Sequence, residues 1–182
     1  MYNQLQRLNG VATFALTVAF CLFVAISYVS DYTRPVDQGT AQVTVRGIKV
    51  QRGPTFPDAY DPKSRQSHYA RLAMDIEVDL TRLFDWNTKQ VFLMAVAEYA
   101  TPTHPVNQVV LWDSIIQSPE DAEFKLKKYR NKYQFKDFTE KFGTKTANLT
   151  VYWDVTPYVG FLQTTRLGQT SQTFTIPEVS YK

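Results

Sequence analysis

The chain has 182 residues, of which 44% are hydrophobic, and its 20 Lys and Arg residues and 17 Asp and Glu residues give a net charge of +3. Arg7 is the only charged residue before Asp31, so the charges of residues 31–182 nearly balance, unlike the concentrated basic face of a nucleic-acid-binding protein. No nucleic-acid partner is expected. The single cysteine, Cys21, excludes a disulfide within the chain, so a folded domain must rely on its hydrophobic core.

Residues 10–30 contain no charged side chain, and within them residues 11–29 are long enough to cross a membrane as a helix. A hydrocarbon layer of about 30 Å needs roughly 20 helical residues, whereas a cleavable signal has an apolar core of about 7 to 15 residues. Length therefore favours a permanent anchor, and Tyr28 and Tyr32 resemble the aromatic residues that flank membrane spans. The small residues at 25–27 fit a cleavage site, so a cleaved signal is the alternative.

The orientation of this span is only weakly marked by charge. Arg7 and the amino terminus precede it, while Asp31 and Arg34 follow it, so the bias toward positive charge on the cytosolic side is slight. A short leader that needs no translocation favours a cytosolic amino terminus. We predict a cytosolic leader (residues 1–10), a type II anchor in contact with membrane lipid (11–29) and a lumenal or external domain (30–182).

The domain after the span is predicted to be mainly β. Residues 72–80 alternate between apolar and polar side chains, which is typical of a strand with one buried face. Residues 43–50 repeat the alternation with a slip at Gly47 that predicts a bulge, and residues 149–155 and 171–176 read as further strands. These segments predict a β-sandwich-like domain behind a single transmembrane helix.

Two central segments, residues 91–97 and 109–112, are apolar on both faces, so something must cover their second face. The first candidate is an amphipathic helix at residues 118–133, which begins with Ser118 and Pro119 and places Ala122, Leu126, Tyr129 and Tyr133 on one side. The second candidate is a partner protein that packs on Phe92, Met94, Val96, Val110 and Trp112. Coverage by the chain's own helix is preferred, because a contiguous exposed apolar patch is unusual in a monomer.

Residues that carry catalysis or bind metal are sparse in the sequence. His68 and His104 are its only histidines, whereas a zinc site needs three or four ligands. The chain has no Gly-x-Ser-x-Gly motif and no glycine-rich phosphate loop before a helix. A Ser-His-Asp triad assembled in space stays open at this point. We expect no catalytic residue, metal site or cofactor.

One N-glycosylation sequon is present, at Asn148. The alternation of residues 149–155 places Asn148 on the polar face of its strand, where a glycan could project into solvent. A glycan there would require a lumenal domain. The proline-rich residues 53–67 are predicted to form a long surface loop of unassigned role.

Three blocks of sequence resemble one known family. They are LFDWNTKQVFLMAVAEY at 83–99, NQVVLWDSII at 107–116 and NLTVYWDVTPYVGFL at 148–162. In order and spacing they are similar to the blocks of the signal peptidase complex subunit 3 family, and the likeness runs from the leader to the carboxyl terminus. The resemblance implies a type II endoplasmic reticulum membrane protein, and it favours the anchor over a cleaved signal.

The same resemblance implies a non-catalytic accessory subunit. Its lumenal domain would pack beside a separate catalytic subunit that carries a serine nucleophile, among the other subunits of the complex and near the translocon. It would be needed for removal of signal peptides from secretory and membrane proteins. The resemblance also carries over the sequon at Asn148.

Partner contacts are predicted at the resembling blocks, where aromatic and polar residues lie at the ends of the predicted strands and where residues 91–97 are apolar on both faces. The candidate partner interface comprises Phe84, Trp86, Asn87, Phe92, Met94, Trp112 and Asp113. In the alternative interpretation the tryptophans fill the core, while Asp85 and Asn87 shape a turn.

Two other functions are compatible with the sequence. A membrane-anchored lumenal hydrolase would need its own nucleophile and would cleave a substrate without a partner. A free-standing membrane-anchored lumenal binding module would need an accessible ligand surface and a stable monomer.

Overall fold

The computed structural model describes residues 3–33, 38–54, 66–137, 142, 145–165 and 172–179. Over these ranges the chain forms one long α-helix and nine strands, which confirms the mainly β prediction. The helix is α1 (Gln4–Thr33), and the strands are β1 (Thr40–Pro54), β2 (Gln66–Asp79), β3 (Thr88–Tyr99), β4 (Asn107–Ile116), β5 (Glu123–Arg130), β6 (Phe135–Lys136), β7 (Lys145–Pro157), β8 (Gln163–Thr165) and β9 (Gln172–Ile176).

Helix α1 contains the predicted span and extends beyond both of its ends. Its 30 residues make it about 45 Å long at about 1.5 Å per residue. The helix is long enough to cross a membrane, and an 18-residue stretch within it has a mean hydropathy of 2.2, which is apolar enough for a span. Ser30 is the one buried residue of α1, so the apolar side chains of the helix point away from the protein. Such a surface suits lipid better than water.

The strands form two antiparallel sheets. In the first sheet β2 lies between β1 and β5, and the short β6 also pairs with β2. In the second sheet the order is β4-β3-β7-β8, and β9 also pairs with β7. The register of β1 against β2 shifts between Val45 and Gly47, which confirms the predicted bulge.

The hydrophobic core is formed by the inward faces of the central strands. As the alternation predicts, the apolar positions of residues 72–80 are buried: Leu72, Met74, Ile76, Val78 and Leu80. One cluster joins them to inward residues of the second sheet, including Leu93, Ala95, Leu149, Val151 and Trp153. The sandwich-like arrangement therefore follows from residues that repeat every second position.

The prediction of an amphipathic helix at residues 118–133 is wrong. Only Pro119–Asp121 is helical, as a single 3-10 turn, and strand β5 follows it. Phe124 and Leu126 alternate with charged side chains, and they pair with Val78 and Ile76 of β2. The segment satisfies the strand period as well as the helix period, and pairing with a central strand outweighs a weak local preference for helix.

Parts of two other predictions lie outside the described residues. β1 continues through residues 53 and 54, and β2 begins at residue 66, but residues 55–65 of the predicted surface loop are not among those described. The last strand is confirmed as β9, while residue 171 of its predicted range is likewise outside them.

Candidate interaction surface

The outer face of the second sheet carries a half-exposed apolar surface. Phe92 and Met94 of β3 are half-buried there, while Val110 and Ile115 of β4 are 38% and 55% exposed. Phe92 lies directly opposite Ile115 in the β3–β4 pairing, so their side chains are neighbours on this face. We call Phe92, Met94, Val110 and Ile115 the outer patch. Over the described part of the chain no helix lies on it, since β5 replaces the helix predicted to cover it.

The far end of the same face is polar. Glu98 of β3 accepts a hydrogen bond from Gln108 Nε2 (2.6 Å) and another from the hydroxyl of Tyr152. Asn148 lies opposite Glu98 on β7, is exposed, and accepts a hydrogen bond from Thr173 Oγ1 (2.9 Å). The outer face thus carries its apolar side chains toward the end nearest α1, where the half-buried Asp154 of β7 also lies opposite Phe92, and is polar at the opposite end.

An ion pair borders the outer patch. Lys132 Nζ lies 2.8 Å from Asp113 Oδ1, and Asp113 pairs with Met94 across β3 and β4. The hydrogen bond from Lys132 lowers the pKa of Asp113, and the same bond raises the pKa of Lys132. Both side chains are therefore charged at neutral pH, and Asp113 already has a partner within its own chain.

Asn87, a predicted interface residue, is buried and joins three parts of the chain. Its side-chain Nδ2 donates to Ser30 Oγ (2.9 Å) and to the carbonyl oxygen of Val159 (2.7 Å), and its Oδ1 accepts from the Val159 N–H (3.0 Å). Its own N–H donates to Asp85 Oδ1 (2.8 Å), the contact expected if Asp85 and Asn87 shape a turn. Asn87 thus connects the end of α1 to the turn after β7 and is not a surface group.

The remaining predicted interface residues differ in accessibility. Trp112 is buried, and its ring centre lies 6.2 Å from that of Phe124 and 6.4 Å from that of Tyr129. Phe84 is half-buried against the core, whereas Trp86 is 66% exposed. The structure therefore brings Phe92 and Met94 together on one face, places Trp86 on the surface near the end of α1, and puts Trp112 inside the domain.

Ile115 completes the outer patch but is not among the predicted interface residues. The signal was present, because Ile115 alternates with Asp113 and so occupies the same face as Phe92 across the sheet. Residues 109–112 do not alternate regularly between the two faces, because the register shifts between Ala95 and Val96, opposite Leu111. The bulge turns Leu111 and Trp112 both into buried positions.

The two histidines lie on different elements. His68 on β2 accepts a hydrogen bond at Nδ1 from the Phe142 N–H (3.2 Å). The backbone N–H of His104, between β3 and β4, donates to Thr101 Oγ1 (3.0 Å). Among the described residues no group of three or more His, Cys, Asp and Glu side chains could hold a metal ion.

A comparison with known families connects this arrangement to one of them. The profile of the family described as signal peptidase subunit matches residues 1–179. The chain belongs to the signal peptidase subunit family. This match confirms the resemblance that the three sequence blocks suggest.

Individual members of the family are similar over most of this chain. Signal peptidase complex subunit 3 of Gallus gallus is 34% identical over 167 residues, covering 89% of this chain and 87% of the relative. The protein of the same name from Schizosaccharomyces pombe is 34% identical over 149 residues, covering 80% and 79%. That from Homo sapiens is 32% identical over 167 residues, covering 89% and 87%. The family match over residues 1–179 includes both α1 and the two sheets.

Proposed function

We propose that this chain is a non-catalytic subunit of the endoplasmic reticulum signal peptidase complex, in which it positions a separate serine-type catalytic subunit. The family match over residues 1–179 carries the proposal. In this proposal residues 11–29 cross the membrane in contact with lipid, the amino terminus is cytosolic, and the domain lies in the lumen close to the translocon.

The outer patch is the surface we assign to the catalytic subunit. It is apolar, half-exposed and not covered by any described helix of its own chain. Phe92 follows Asn87 by only five residues, or about 17 Å of strand, and Asn87 is bonded to the end of α1. A partner on this patch would therefore sit close to the membrane surface, where a signal peptide emerges from the bilayer.

The test of this function replaces both Phe92 and Met94 by serine in cells that depend on the chain for growth or secretion. Because the patch then loses its apolar contact with the catalytic subunit, we expect uncleaved precursors of secreted proteins to accumulate and the catalytic subunit to be lost from the purified complex. Both substitutions lie on a half-exposed face, so the melting temperature should fall only slightly.

The matched control is Val106→Ser. Val106 is also apolar and exposed, but it lies between β3 and β4 at the opposite end of the sheet. We expect normal cleavage and normal assembly. If the Phe92 and Met94 variant assembled and cleaved normally, the catalytic subunit would not bind the outer patch. Cleavage of signal peptides by the purified chain alone would overturn the non-catalytic role.

We also propose that Asn148 carries an N-linked glycan. Asn148 is exposed on β7, and its position opposite Glu98 places it six residues along β3 from Phe92, or about 20 Å. A glycan at this polar end would leave the outer patch free for the partner.

Glycosylation is read from mobility on a gel after treatment with peptide N-glycosidase. We expect the enzyme to increase the mobility of the wild-type chain, Asn148→Gln to remove this shift, and Thr150→Ser, which keeps the sequon, to preserve it. The shift would also place the domain in the lumen. Equal mobility of the treated and untreated wild-type chains would contradict the proposal.

A further inference from the structure

Four large side chains are exposed together near the carboxyl end of α1. Trp86 is 66% exposed, Tyr158 68%, Phe161 84% and Leu162 59%. They lie on two connections, the one that precedes β3 and the one between β7 and β8. Exposed apolar residues are ordinary when scattered, but a cluster of them marks a contact surface. We call these four residues the basal cluster.

The two connections that carry the basal cluster are held to each other. The Tyr158 N–H donates to the backbone oxygen of Asn87 (2.8 Å), and the Asn87 side chain bonds both backbone groups of Val159. Trp86 precedes Asn87 in the sequence, and Tyr158 precedes Val159. The hydrogen bonds between Asn87 and Val159 therefore hold the segments that carry Trp86 and Tyr158 side by side. The cluster is one surface and not two independent loops.

The same connections are held to the last turns of α1. Asn87 Nδ2 donates to Ser30 Oγ (2.9 Å), and Gln163 Nε2 donates to Asp31 Oδ1. Gly160 has φ +125°, and a Cβ atom there would lie 3.2 Å from Ser27 Oγ. Glycine thus permits both the backbone conformation and the close approach to the helix. Residues 158–163 lie alongside residues 27–31.

This contact fixes the depth of the cluster relative to a membrane. The apolar run ends at Val29, and Ser27 is two residues, or about 3 Å, inside that end. The turn at Gly160 therefore lies at the level where the hydrocarbon layer gives way to lipid headgroups. Tyr28 and Tyr32, which are 81% and 89% exposed on α1, occupy the same level.

The chemistry of the cluster matches that level. Tyr and Trp are enriched at membrane interfaces because their rings are apolar while their O–H and N–H groups stay hydrated. Phe161 and Leu162 add purely apolar contact, and residues 155–165 contain no charged side chain. A surface of this composition beside the end of a span is complementary to the boundary between headgroups and acyl chains.

We infer that the basal cluster inserts into the interface of the bilayer that α1 crosses. The domain is then held on the membrane by Trp86, Tyr158, Phe161 and Leu162 as well as by its span. The inference rests on the proposed function in one respect, that α1 crosses a membrane. Its consequence is a fixed tilt of the two sheets relative to the membrane surface, and hence a fixed height for the outer patch.

Site-directed spin labelling of the full-length chain in phosphatidylcholine vesicles tests the inference. Cys21→Ala removes the only cysteine, after which single cysteines are introduced by Phe161→Cys or by Val106→Cys and are labelled. Val106 is the matched control, since it is 73% exposed and apolar but lies beyond the other end of β3, about 40 Å away. Collisions of each label with oxygen, which is lipid-soluble, and with a nickel chelate, which is water-soluble, measure its depth.

We expect the label at 161 to collide more with oxygen than with the nickel chelate, and the label at 106 to show the reverse. Equal nickel accessibility at the two sites would overturn the inference. Protection of the label at 161 from both reagents would also overturn it, because the cluster would then be packed against protein. Leu162→Cys provides a second position if Phe161→Cys does not fold.

Flotation of the vesicles after alkaline carbonate treatment separates the two possible failures. A chain that is stripped from the vesicles is not anchored by α1, and the proposed membrane span fails. A chain that floats with the vesicles but carries a water-exposed label at 161 keeps the span and loses only the insertion of the basal cluster.

Discussion

Asn87→Ala is expected to lower the free energy of unfolding by about 3 kcal/mol, because it removes three side-chain hydrogen bonds in a buried site. The backbone N–H and carbonyl of Val159 lose their Asn87 partners, and a buried polar group left without a partner costs about 1–3 kcal/mol. For a chain of this size the melting temperature should fall by roughly 8 °C. Thermal unfolding of the full-length chain in detergent, followed by circular dichroism, measures the effect.

Two variants serve as controls for the Asn87 substitution. Ser30→Ala removes the hydrogen bond from Asn87 Nδ2 to α1 but keeps both bonds between Asn87 and Val159, so it should cost less than Asn87→Ala, about 1 kcal/mol. Asn107→Ala removes bonds from Asn107 Nδ2 to the carbonyl oxygens of Tyr99 (3.1 Å) and His104 (3.0 Å), but Asn107 is half-buried and its loss should be smaller. If the Asn87→Ala chain had the same melting temperature as the wild-type chain, the hydrogen bonds of Asn87 to Ser30 and Val159 would not stabilise the protein.

Lys145→Met is expected to destabilise the domain by about 3 kcal/mol. The Asp137 carboxylate is buried and accepts hydrogen bonds from the Tyr99 hydroxyl (2.7 Å) and from Lys145 Nζ (3.1 Å). Burial raises the pKa of Tyr99 most, and the hydrogen bond to Asp137 raises it further, so Tyr99 remains a neutral donor. Methionine keeps the volume of the lysine stem but removes the positive charge beside a carboxylate that water cannot reach. Urea or thermal unfolding gives the loss directly.

Lys132→Met is the matched control for Lys145→Met. Lys132 forms an ion pair of similar length with Asp113, but the Lys132 side chain is 48% exposed, and an exposed pair contributes about 1 kcal/mol or less. Adding Asp137→Asn to Lys145→Met should recover part of the stability, since the asparagine oxygen can still accept from Tyr99 without a buried charge. If the Lys145 and Lys132 variants lost equal stability, burial of Asp137 would not determine the effect.

The strands of the core could be predicted from sequence because their information is local. Residues 72–80 alternate without interruption, and the slip at Gly47 coincides with the shift in register against β2. Residues 118–133 could not be predicted in this way, because their apolar positions fit both the helix and the strand period. Whether this segment forms a helix or a strand depends on pairing with β2, which is distant in sequence.

The candidate surface was only partly predictable for a similar reason. Phe92 and Met94 are predictable from sequence, because apolar residues on both faces of a strand are a local signal. Asn87 is a predicted interface residue, yet its burial depends on Ser30 and Val159, which lie 57 and 72 residues away along the chain. The role inferred for the exposed turn at residues 158–162 likewise depends on its position beside α1, which no local sequence pattern indicates.

Purification of the full-length chain from its native membranes in mild detergent, with mass spectrometry of all recovered proteins and of the amino-terminal peptide, tests the proposed role most directly. We predict stoichiometric recovery with a serine-type signal peptidase subunit and an amino terminus that lies before residue 11. Recovery of this chain alone, with an amino terminus near Tyr28, would contradict both the anchor and the role as a subunit.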